Sequence, residues 1–422
     1  MSFTESDFTL ENAKELDQKD PLSSFRSEFD FSEASLYFAG HSLGLRPKKS
    51  VEYINEELEK WKHYAVEGHF VPKEPWVPYH ELLASDISHL LGAKESEVVA
   101  MNTLTVNLHL MLVSFFRPEG KRRKIVIEGN CFPSDVYAVK SQLRFHGLNP
   151  EEDLLILPFS EDGWTHDEKE CFDFLEDNKD EIALVLLGNC NYLSGQAFSI
   201  KRYSEKTHEI GALFGLNLAH GAGNLVLDLS KDNVDFAVCC SYKYLNSGPG
   251  NISFVFVNEK HHHDPSIPRF EGWWGTDKKN RFLMKDVFEP IPTAEAWQLS
   301  NAPTILLASL RGSLELYTKA GIQNLRTRGD KLTSYLELGL THKCQGKIKV
   351  VTPKFCEEEQ TRGSMLSVLY SGDGKKLYKK LVEKQIIADF REPNILRFTP
   401  VPIYNNYEDV FHLVDELGKT VE

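Results

Sequence analysis

Short apolar runs alternate with helical stretches through the middle of the chain. The runs are rich in Val, Ile, Leu and Phe, as buried strands are, and lie at 124–129, 153–158, 182–188, 212–218, 235–240 and 252–257. Stretches with helical periodicity intervene at 134–146, 167–178 and 200–211. Strands that alternate with helices predict an α/β fold, with a mostly parallel sheet and helices on both faces.

The residues before this region predict one short strand and three helices. The strand is expected at 35–39 and the helices at 48–66, 79–92 and 105–116. The last of these helices is apolar enough to be buried. The first carries an apolar stripe, as a helix that packs on a core does, formed by Val51, Ile54, Leu58 and Trp61.

Beyond about residue 310 the alternation loosens. Helices are expected at 304–320, 328–340, 374–383 and 406–420, and strands near 347–352 and 363–370. This pattern predicts a smaller α+β domain at the C-terminal end. We therefore divide the chain into an N-terminal segment, 1–60, that packs on the small domain, a large α/β domain, 61–310, and the small domain, 311–422.

Composition narrows the functional classes. The chain has 422 residues and a net charge of −14, so the phosphates of nucleic acids would be repelled. The first 20 residues are polar and acidic, and no window reaches the ~18 apolar residues of a membrane helix. The seven cysteines are scattered without a C-x-x-C pair, which favours neither a disulfide framework nor a zinc site. We expect a cytoplasmic protein with no nucleic-acid or membrane partner.

Two local patterns suggest chemistry that their surroundings do not favour. GHSLG at 40–44 matches the nucleophile elbow of serine hydrolases, with Ser42 as the nucleophile. That fold needs several strands before the elbow and a helix directly after it, and the sequence predicts neither. The adjacent His261, His262 and His263 point in different directions along the chain, so they are poorly arranged for one metal ion. We expect no metal site.

A lysine at the end of a buried strand offers a third chemistry. Lys243 follows the apolar run 235–240 and precedes the backbone-restricting Gly248-Pro249-Gly250. A buried lysine with a lowered pKa can form a Schiff base with an aldehyde cofactor such as pyridoxal phosphate. A lone lysine at this place would also be explained as a solvated surface residue, so the interpretation depends on its neighbours.

Candidate partners for such a cofactor occur at other strand and helix ends. Thr105 opens an apolar helix, where N–H groups and a hydroxyl suit a phosphate, although an ordinary helix cap explains it equally well. Phe132, Ser134 and Asp135 follow one strand, and Asn217 and His220 follow another, where core packing and backbone hydrogen bonds are the alternatives. Arg397 lies in an apolar segment, where a substrate carboxylate or an internal acid would satisfy it.

Taken together, the motifs resemble those of kynureninases, which are fold-type-I pyridoxal phosphate enzymes that hydrolyse kynurenines. The resemblance covers nearly the whole chain, from SLYFAGHSLGLRP to RFTPVPIYN. It is carried by five motifs in order: LTVNLHL at 104–110, FPSD at 132–135, SYKYLNSGPG at 241–250, GWWG at 272–275 and LSNAP at 299–303. The family implies a fold-type-I transferase fold, a small amino-acid substrate, and a homodimer with active sites at its interface.

The resemblance also implies a role for each matching residue. Lys243 would link covalently to the cofactor and Phe132 would stack on its ring. The other cofactor contacts would be Leu104, Thr105, Ser134, Asp135, Asn217, His220, Tyr242, Trp273 and Asn301. Ser42, His69, Asn301 and Arg397 would contact the substrate, with Arg397 on its α-carboxylate. The pair of His69 and Asn301 matches the residues linked to 3-hydroxykynurenine in this family.

The implied reaction belongs to tryptophan catabolism and NAD biosynthesis. Lys243 would move the α-proton of the bound substrate, and water would add to the γ-carbonyl. The Cβ–Cγ bond would then break, so that an anthranilate leaves and L-alanine follows.

Four positions depart from the family pattern. Asn217 stands where an aspartate keeps the pyridine nitrogen protonated, and an amide cannot do this by charge. Gly188, Thr276 and His41 replace a usual serine, histidine and asparagine. Two interpretations follow: a working kynureninase in which Asp135 compensates, or a relative with altered substrate or weakened activity. We favour the first, because Lys243 and the other principal site residues remain.

Overall fold

The computed structural model describes residues 3–31, 36–71 and 73–421. Its strands are β1 (Phe29–Asp30), β2 (Leu36–Tyr37), β3 (Arg46–Pro47), β4 (Val98–Ala100), β5 (Lys124–Ile127), β6 (Leu154–Ile156), β7 (Ile182–Gly188), β8 (Leu213–Asn217), β9 (Phe236–Val238), β10 (Phe254–Val257), β11 (Ile348–Val350), β12 (Leu366–Tyr370), β13 (Ile386–Ile387), β14 (Asp389–Arg391) and β15 (Ile395–Phe398). Ser35, at the start of the first predicted strand, lies outside the described residues.

The described residues form twelve α-helices. They are α1 (Leu10–Lys19), α2 (Lys48–Tyr64), α3 (Ala84–Leu91), α4 (Leu104–Phe115), α5 (Pro133–Phe145), α6 (Pro150–Asp153), α7 (Glu168–Asp177), α8 (Ile200–Glu209), α9 (Thr304–Ala320), α10 (Ile322–Lys343), α11 (Gly374–Glu383) and α12 (Tyr407–Val421). Within the described ranges, none of them is long and apolar enough to cross a membrane.

The central sheet has seven strands in the order β4-β10-β9-β8-β7-β5-β6. The five strands from β9 to β6 are parallel, whereas β10 runs antiparallel to both β9 and β4. This arrangement confirms the predicted α/β fold with a mostly parallel sheet. Strand β10 is buried along its whole length, which explains why the run at 252–257 resembles those of the parallel strands.

Both faces of the central sheet are buried. Along β7, Val185 and Leu187 belong to one apolar core, and Leu184 and Leu186 belong to the core on the opposite face. Side chains alternate between faces along a strand, so a sheet covered on both sides requires apolar residues at every position. This is the physical reason for the continuous apolar runs in the sequence.

A second sheet lies in the C-terminal part, with the antiparallel order β11-β12-β15-β14. It shares a third apolar core with α10, α11 and α12 and with N-terminal residues that include Phe8, Ala13 and Phe38. Strand β2 pairs with β13, which ties the N-terminal segment to this region. The domain boundaries proposed from the sequence remain a prediction.

Two predicted helices differ from the structure. The helix expected at 79–92 divides into a 3₁₀ turn, Tyr79–Leu83, and α3. Helix α2 forms as predicted but does not bury its whole apolar stripe, because Leu58 and Trp61 are 42% and 64% exposed. The helix instead packs against α9 and buries Glu57, whose carboxylate pairs with Lys60 Nζ at 2.8 Å.

Candidate active site

A cavity of about 660 Å³, including its open mouth, lies where β5, β7, β8 and β9 end at one edge of the central sheet. The carboxyl edge of a parallel sheet is where α/β proteins place their sites. Nine residues predicted for a cofactor line this cavity: Leu104, Thr105, Phe132, Ser134, Asp135, Asn217, His220, Tyr242 and Lys243.

Lys243 projects its amine into the cavity. Its Nζ lies 3.2 Å from His220 Nε2 and 5.6 Å from the centroid of the Phe132 ring. Burial lowers the pKa of Lys243, while the negative charge of nearby Asp135 acts in the opposite direction. A lowered pKa raises the fraction of neutral amine, which is the form that attacks a carbonyl or accepts a proton.

The backbone after Lys243 is fixed by several contacts. Asn246 N donates to Lys243 O at 3.0 Å, and Ser247 N donates to Ser241 O at 3.1 Å. Gly248 has a φ of 107°, which favours glycine. On the other side, a Cβ at Gly44 would lie 2.5 Å from Lys243 O, so only a glycine allows this close approach. The loop therefore holds the lysine in one position.

His220 is a neutral partner for that lysine. Burial, followed by the charge of Lys243, holds the pKa of His220 well below its ordinary value. A neutral imidazole at 3.2 Å can accept a hydrogen bond from the Lys243 amine. The Nδ1 atom is buried and has no hydrogen-bond partner among the described residues, so one polar atom of the ring remains available to a ligand.

The floor of the cavity joins Asn217 to Asp135. Asn217 Nδ2 donates to Asp135 Oδ2 at 2.6 Å, and Asn217 Oδ1 accepts from Ala219 N at 2.8 Å. The second carboxylate oxygen, Asp135 Oδ1, is buried without a partner in the described chain. Burial raises the pKa of Asp135 to about 6, against the effects of Lys243 and Asn217. The carboxyl is therefore mostly ionised at pH 7 and has one free acceptor.

Two helices begin at the opposite side of the cavity. Helix α4 starts at Leu104 and α5 starts at Pro133, so both direct unpaired N–H groups to this region. The Thr105 and Ser134 hydroxyls lie 3.0 Å apart, although neither caps its own helix. Helix starts with hydroxyls beside them form a favourable site for an anionic group such as a phosphate.

Arg397 does not line the cavity, and its guanidinium is already paired within the chain. Its Nε donates to Asp389 Oδ1 at 2.7 Å, and its Nη1 donates to Tyr192 O. Tyr192 lines the cavity, so this one residue connects the Arg397 guanidinium to the cavity. Of the two partners that the sequence allows for Arg397, an internal acid is present, and it is Asp389. A substrate carboxylate would have to share the guanidinium with Asp389.

Four other predicted residues, Ser42, His69, Trp273 and Asn301, do not line the cavity. His69, Phe70, Trp273 and Phe282 form what we call the aromatic patch, in which ring centroids are 5.5–6.1 Å apart between neighbours. Phe70, Trp273 and Phe282 are 59%, 48% and 48% exposed. Asn301 is also exposed, and lies two residues after Leu299, whose carbonyl accepts from Trp274 N. Among the described residues, the lining of the cavity around Lys243 therefore includes no member of the aromatic patch.

The structure does not support the two rival chemistries. Ser42 lies in a turn, α2 begins only at Lys48, and the described residues provide no histidine partner for its hydroxyl. The adjacent histidines bind different groups, since His261 contacts Asp235 Oδ1 and His262 contacts Val257 O. In the part of the chain that the structure describes, one group has metal-ligand spacing, His80 with Glu81 and Glu295, and Lys278 Nζ bridges its two carboxylates.

Sequence reasoning missed several residues of the cavity. Glu128, Cys190, Tyr192 and Cys240 line it, together with Gly188 and Ala219. A usable signal existed for Glu128 and Cys240, because each closes an apolar run whose strand ends at this edge. Tyr192 follows β7 by four residues and offered no comparable pattern.

Comparisons with known proteins agree with this geometry. A family model, the kynureninase C-terminal domain, matches residues 325–417. The kynureninase of Myxococcus xanthus is 47% identical over 410 residues, which is 96% of both chains. That of Christiangramia forsetii is 44% identical over 98% of both chains, and that of Nematostella vectensis is 39% identical over 97% of this chain and 93% of its own.

Solved structures share the fold at low sequence identity. A cysteine desulfurase from Thermococcus onnurineus superposes with a TM-score of 0.77 at 16% identity, covering 96% of this chain and 98% of its own. The cystine C-S lyase C-DES, in a mutant with glycine linked to its pyridoxal phosphate, gives a TM-score of 0.77 at 15% identity, covering 93% and 98%. At this level of identity the likenesses establish the fold of the chain and nothing about its cofactor or substrate.

Proposed function

Because the chain belongs to the kynureninase family, we propose that it hydrolyses L-kynurenine or 3-hydroxy-L-kynurenine to the corresponding anthranilate and L-alanine, with pyridoxal 5'-phosphate as cofactor. The observation that carries this proposal is the amine of Lys243, held 3.2 Å from a neutral His220 in the cavity at the carboxyl edge of the sheet. The serine hydrolase is not favoured, because Ser42 has no catalytic surroundings.

The residues of the cavity fit this cofactor. The helix starts near Thr105 and Ser134 suit its phosphate, and the half-exposed ring of Phe132 faces the cavity beside Lys243. At the floor, the free Asp135 Oδ1 is an acceptor that an N–H of a pyridinium would satisfy. When bound, pyridoxal phosphate supplies an aldehyde for the substrate amine and an electron sink for the bonds that break.

Lys243 is the residue that we expect to move protons. Its lowered pKa makes the neutral amine accessible, and this amine can take the α-proton of the substrate and return a proton later. His220 keeps the amine oriented through the 3.2 Å contact and, being neutral, does not compete as an acid.

Asp135 compensates for the missing aspartate at position 217. Asn217 donates to one carboxylate oxygen and thereby aims the other into the cavity. The pKa of Asp135 is raised only to about 6, so most of the carboxyl is ionised at pH 7 and can stabilise a positive charge on a pyridine nitrogen. In this chain the negative charge comes from Asp135 on α5. Asn217, at the end of β8, contributes a neutral amide that orients the carboxylate.

Arg397 is proposed to bind the substrate α-carboxylate. Its guanidinium is 2% exposed and lies against Asp389 and Tyr192, and a planar guanidinium can hold a second carboxylate at its remaining N–H groups. Asp389 keeps the guanidinium oriented before substrate arrives.

A homodimer would complete the site. The aromatic patch exposes large apolar side chains next to Leu283 and Met284, which are 63% and 78% exposed. Exposed apolar clusters of this kind mark interaction surfaces. The occupant that we propose is a second copy of this chain, because His69, Trp273 and Asn301 would then lie beside the cavity of the partner. His69 and Asn301 would favour 3-hydroxykynurenine as the substrate.

We further infer that the enzyme works in the cytoplasm, in tryptophan catabolism leading to NAD biosynthesis. All seven cysteines are free thiols, five of them buried, as in proteins of a reducing compartment.

The decisive experiment incubates the purified chain with kynurenine and, separately, with 3-hydroxykynurenine, and follows the fluorescence of the anthranilate products. We expect turnover of both, faster for the hydroxylated substrate. The proposal fails if native protein converts neither and the Asn217→Asp variant gains nothing. Ser42→Ala is the matched control and is expected to keep cofactor absorbance.

A further inference from the structure

A buried carboxyl in the floor of the cavity has no part in the proposed reaction. Glu128 directly follows β5 and is 4% exposed, and it lines the cavity together with Asp135 and Asn217. Its Oε2 accepts a hydrogen bond of 2.9 Å from the backbone N–H of Gly188 at the end of β7. The Glu128 carboxyl therefore has a defined position in the cavity.

Gly188 makes room for this carboxyl. A Cβ at position 188 would lie 2.7 Å from Glu128 Oε1, closer than real Cβ contacts come. The small residue and the buried acid thus form a matched pair between neighbouring strands. Gly188 also pairs with Asn217 in the register of β7 and β8, so the pair lies directly beside the amide that orients Asp135.

The surroundings of Glu128 oppose its ionisation. Burial raises its pKa to about 8, the negative charge of Asp135 from α5 acts in the same direction, and the Gly188 N–H opposes both. Cys131, from the loop before α5, also contacts the carboxyl. Among the described residues no cation pairs with Glu128, whereas Asp135 has the charge of Lys243 nearby. These surroundings favour the protonated form of Glu128, whereas the charge of Lys243 favours the ionised form of Asp135.

We propose that Glu128 is a positioning residue that holds a proton in the floor of the cavity, so that the floor presents a single negative charge, on Asp135 Oδ1, to the cofactor. This inference rests on the proposed function, because it concerns how the cofactor is held. Were both carboxyls ionised, the floor would contain an uncompensated buried charge beside a site that must also accept a phosphate.

The first test is infrared spectroscopy of the full-length protein as purified, titrated from pH 6 to pH 10 and compared with Glu128→Gln. We expect native protein to show the band of a protonated buried carboxyl that disappears with a midpoint near pH 8, and the variant to lack it. Glu57→Gln is the matched control, because Glu57 is equally buried but pairs with Lys60, and this change should leave the band intact. A titration that is identical in native protein and Glu128→Gln overturns the proposal.

The second test measures the dissociation constant of pyridoxal phosphate at pH 7. Glu128→Gln keeps the neutral hydrogen-bonding form, so its affinity should stay within about threefold of native, since a neutral replacement retains the bond to Gly188 N. Glu128→Ala leaves that N–H unpaired and should weaken binding about tenfold or more. An equal loss in both variants would mean that the charge of Glu128 is required and overturns the proposal. The infrared result does not depend on turnover, so failure of the proposed function remains distinguishable.

Discussion

The cavity and the aromatic patch contrast within one chain. In the cavity, Lys243, His220, Asn217 and Asp135 are buried or half-buried and linked by contacts of 2.6–3.2 Å. In the patch, Phe70, Trp273 and Phe282 are about half exposed, and the Phe282 ring contacts the other two.

This difference separates two tasks of the site. Nine of the groups expected to hold the cofactor line one cavity, because they follow the ends of neighbouring strands or open the helices beside them, whereas Trp273 and Asn301 do not line it. Several groups expected to select the substrate are located on the surface and would need a second protomer to reach a cavity. Mutations in the two regions should therefore impair activity in different ways.

The largest effect is expected from Lys243→Ala. Loss of the amine removes the covalent link and the proton carrier together, so kcat should fall by about 10³-fold or more while the fold persists. Lys179→Ala is the matched control, because Lys179 lies at the surface and pairs with Glu176. Product fluorescence and circular dichroism give the two readouts. Activity within tenfold of native in Lys243→Ala would contradict the account.

An intermediate effect is expected from Phe282→Asp in the aromatic patch. A charge placed among the exposed rings should raise the dissociation constant of the dimer by about 30-fold or more, as for a central interface residue. Turnover should fall with the fraction of dimer and recover at high protein concentration. Sedimentation equilibrium measures the shift, and Phe145→Asp, which changes a 75% exposed ring at the far end of α5, is the control. Unchanged association in Phe282→Asp would place the interface elsewhere.

The smallest effect is expected from Asn217→Asp. A further carboxyl at the floor should raise turnover by at most about tenfold, because Asp135 already provides one negative charge and the new acid would compete with it for a proton. Asn217→Leu removes the orienting amide and should lower turnover instead. The comparison uses kcat for both kynurenines. A large gain in Asn217→Asp, on the order of 10³-fold, would show that Asp135 does not compensate.

The cofactor half of the site could be predicted from the sequence because its residues follow apolar runs. Each run signals a buried strand, and parallel strands end at one edge, so Phe132, Asn217 and Lys243 converge without knowledge of any contact. The motifs then indicated the kynureninase family, and the relatives confirm it. The signal for Glu128, its place near the end of the run at 124–129, is shared by ordinary strand ends, so the sequence alone does not single it out.

Other features required three-dimensional information. Leu58 and Trp61 fit an amphipathic pattern, but which part of a stripe is covered depends on where α9 lies. The pairing of Arg397 with Asp389 joins β15 to β14, and no local pattern distinguishes that acid from a substrate carboxylate. The contact between Asn217 and Asp135 joins residues 82 positions apart, so no local sequence pattern predicts it.

The central claim is that the Lys243 amine carries pyridoxal phosphate, and reductive labelling tests it most directly. Purified protein loaded with the cofactor is treated with borohydride, digested, and mapped by mass spectrometry. We expect the phosphopyridoxyl group on the peptide that contains SYKYLNSGPG, at Lys243 alone. Labelling of another lysine, or a loaded protein with no label at Lys243, would contradict the account.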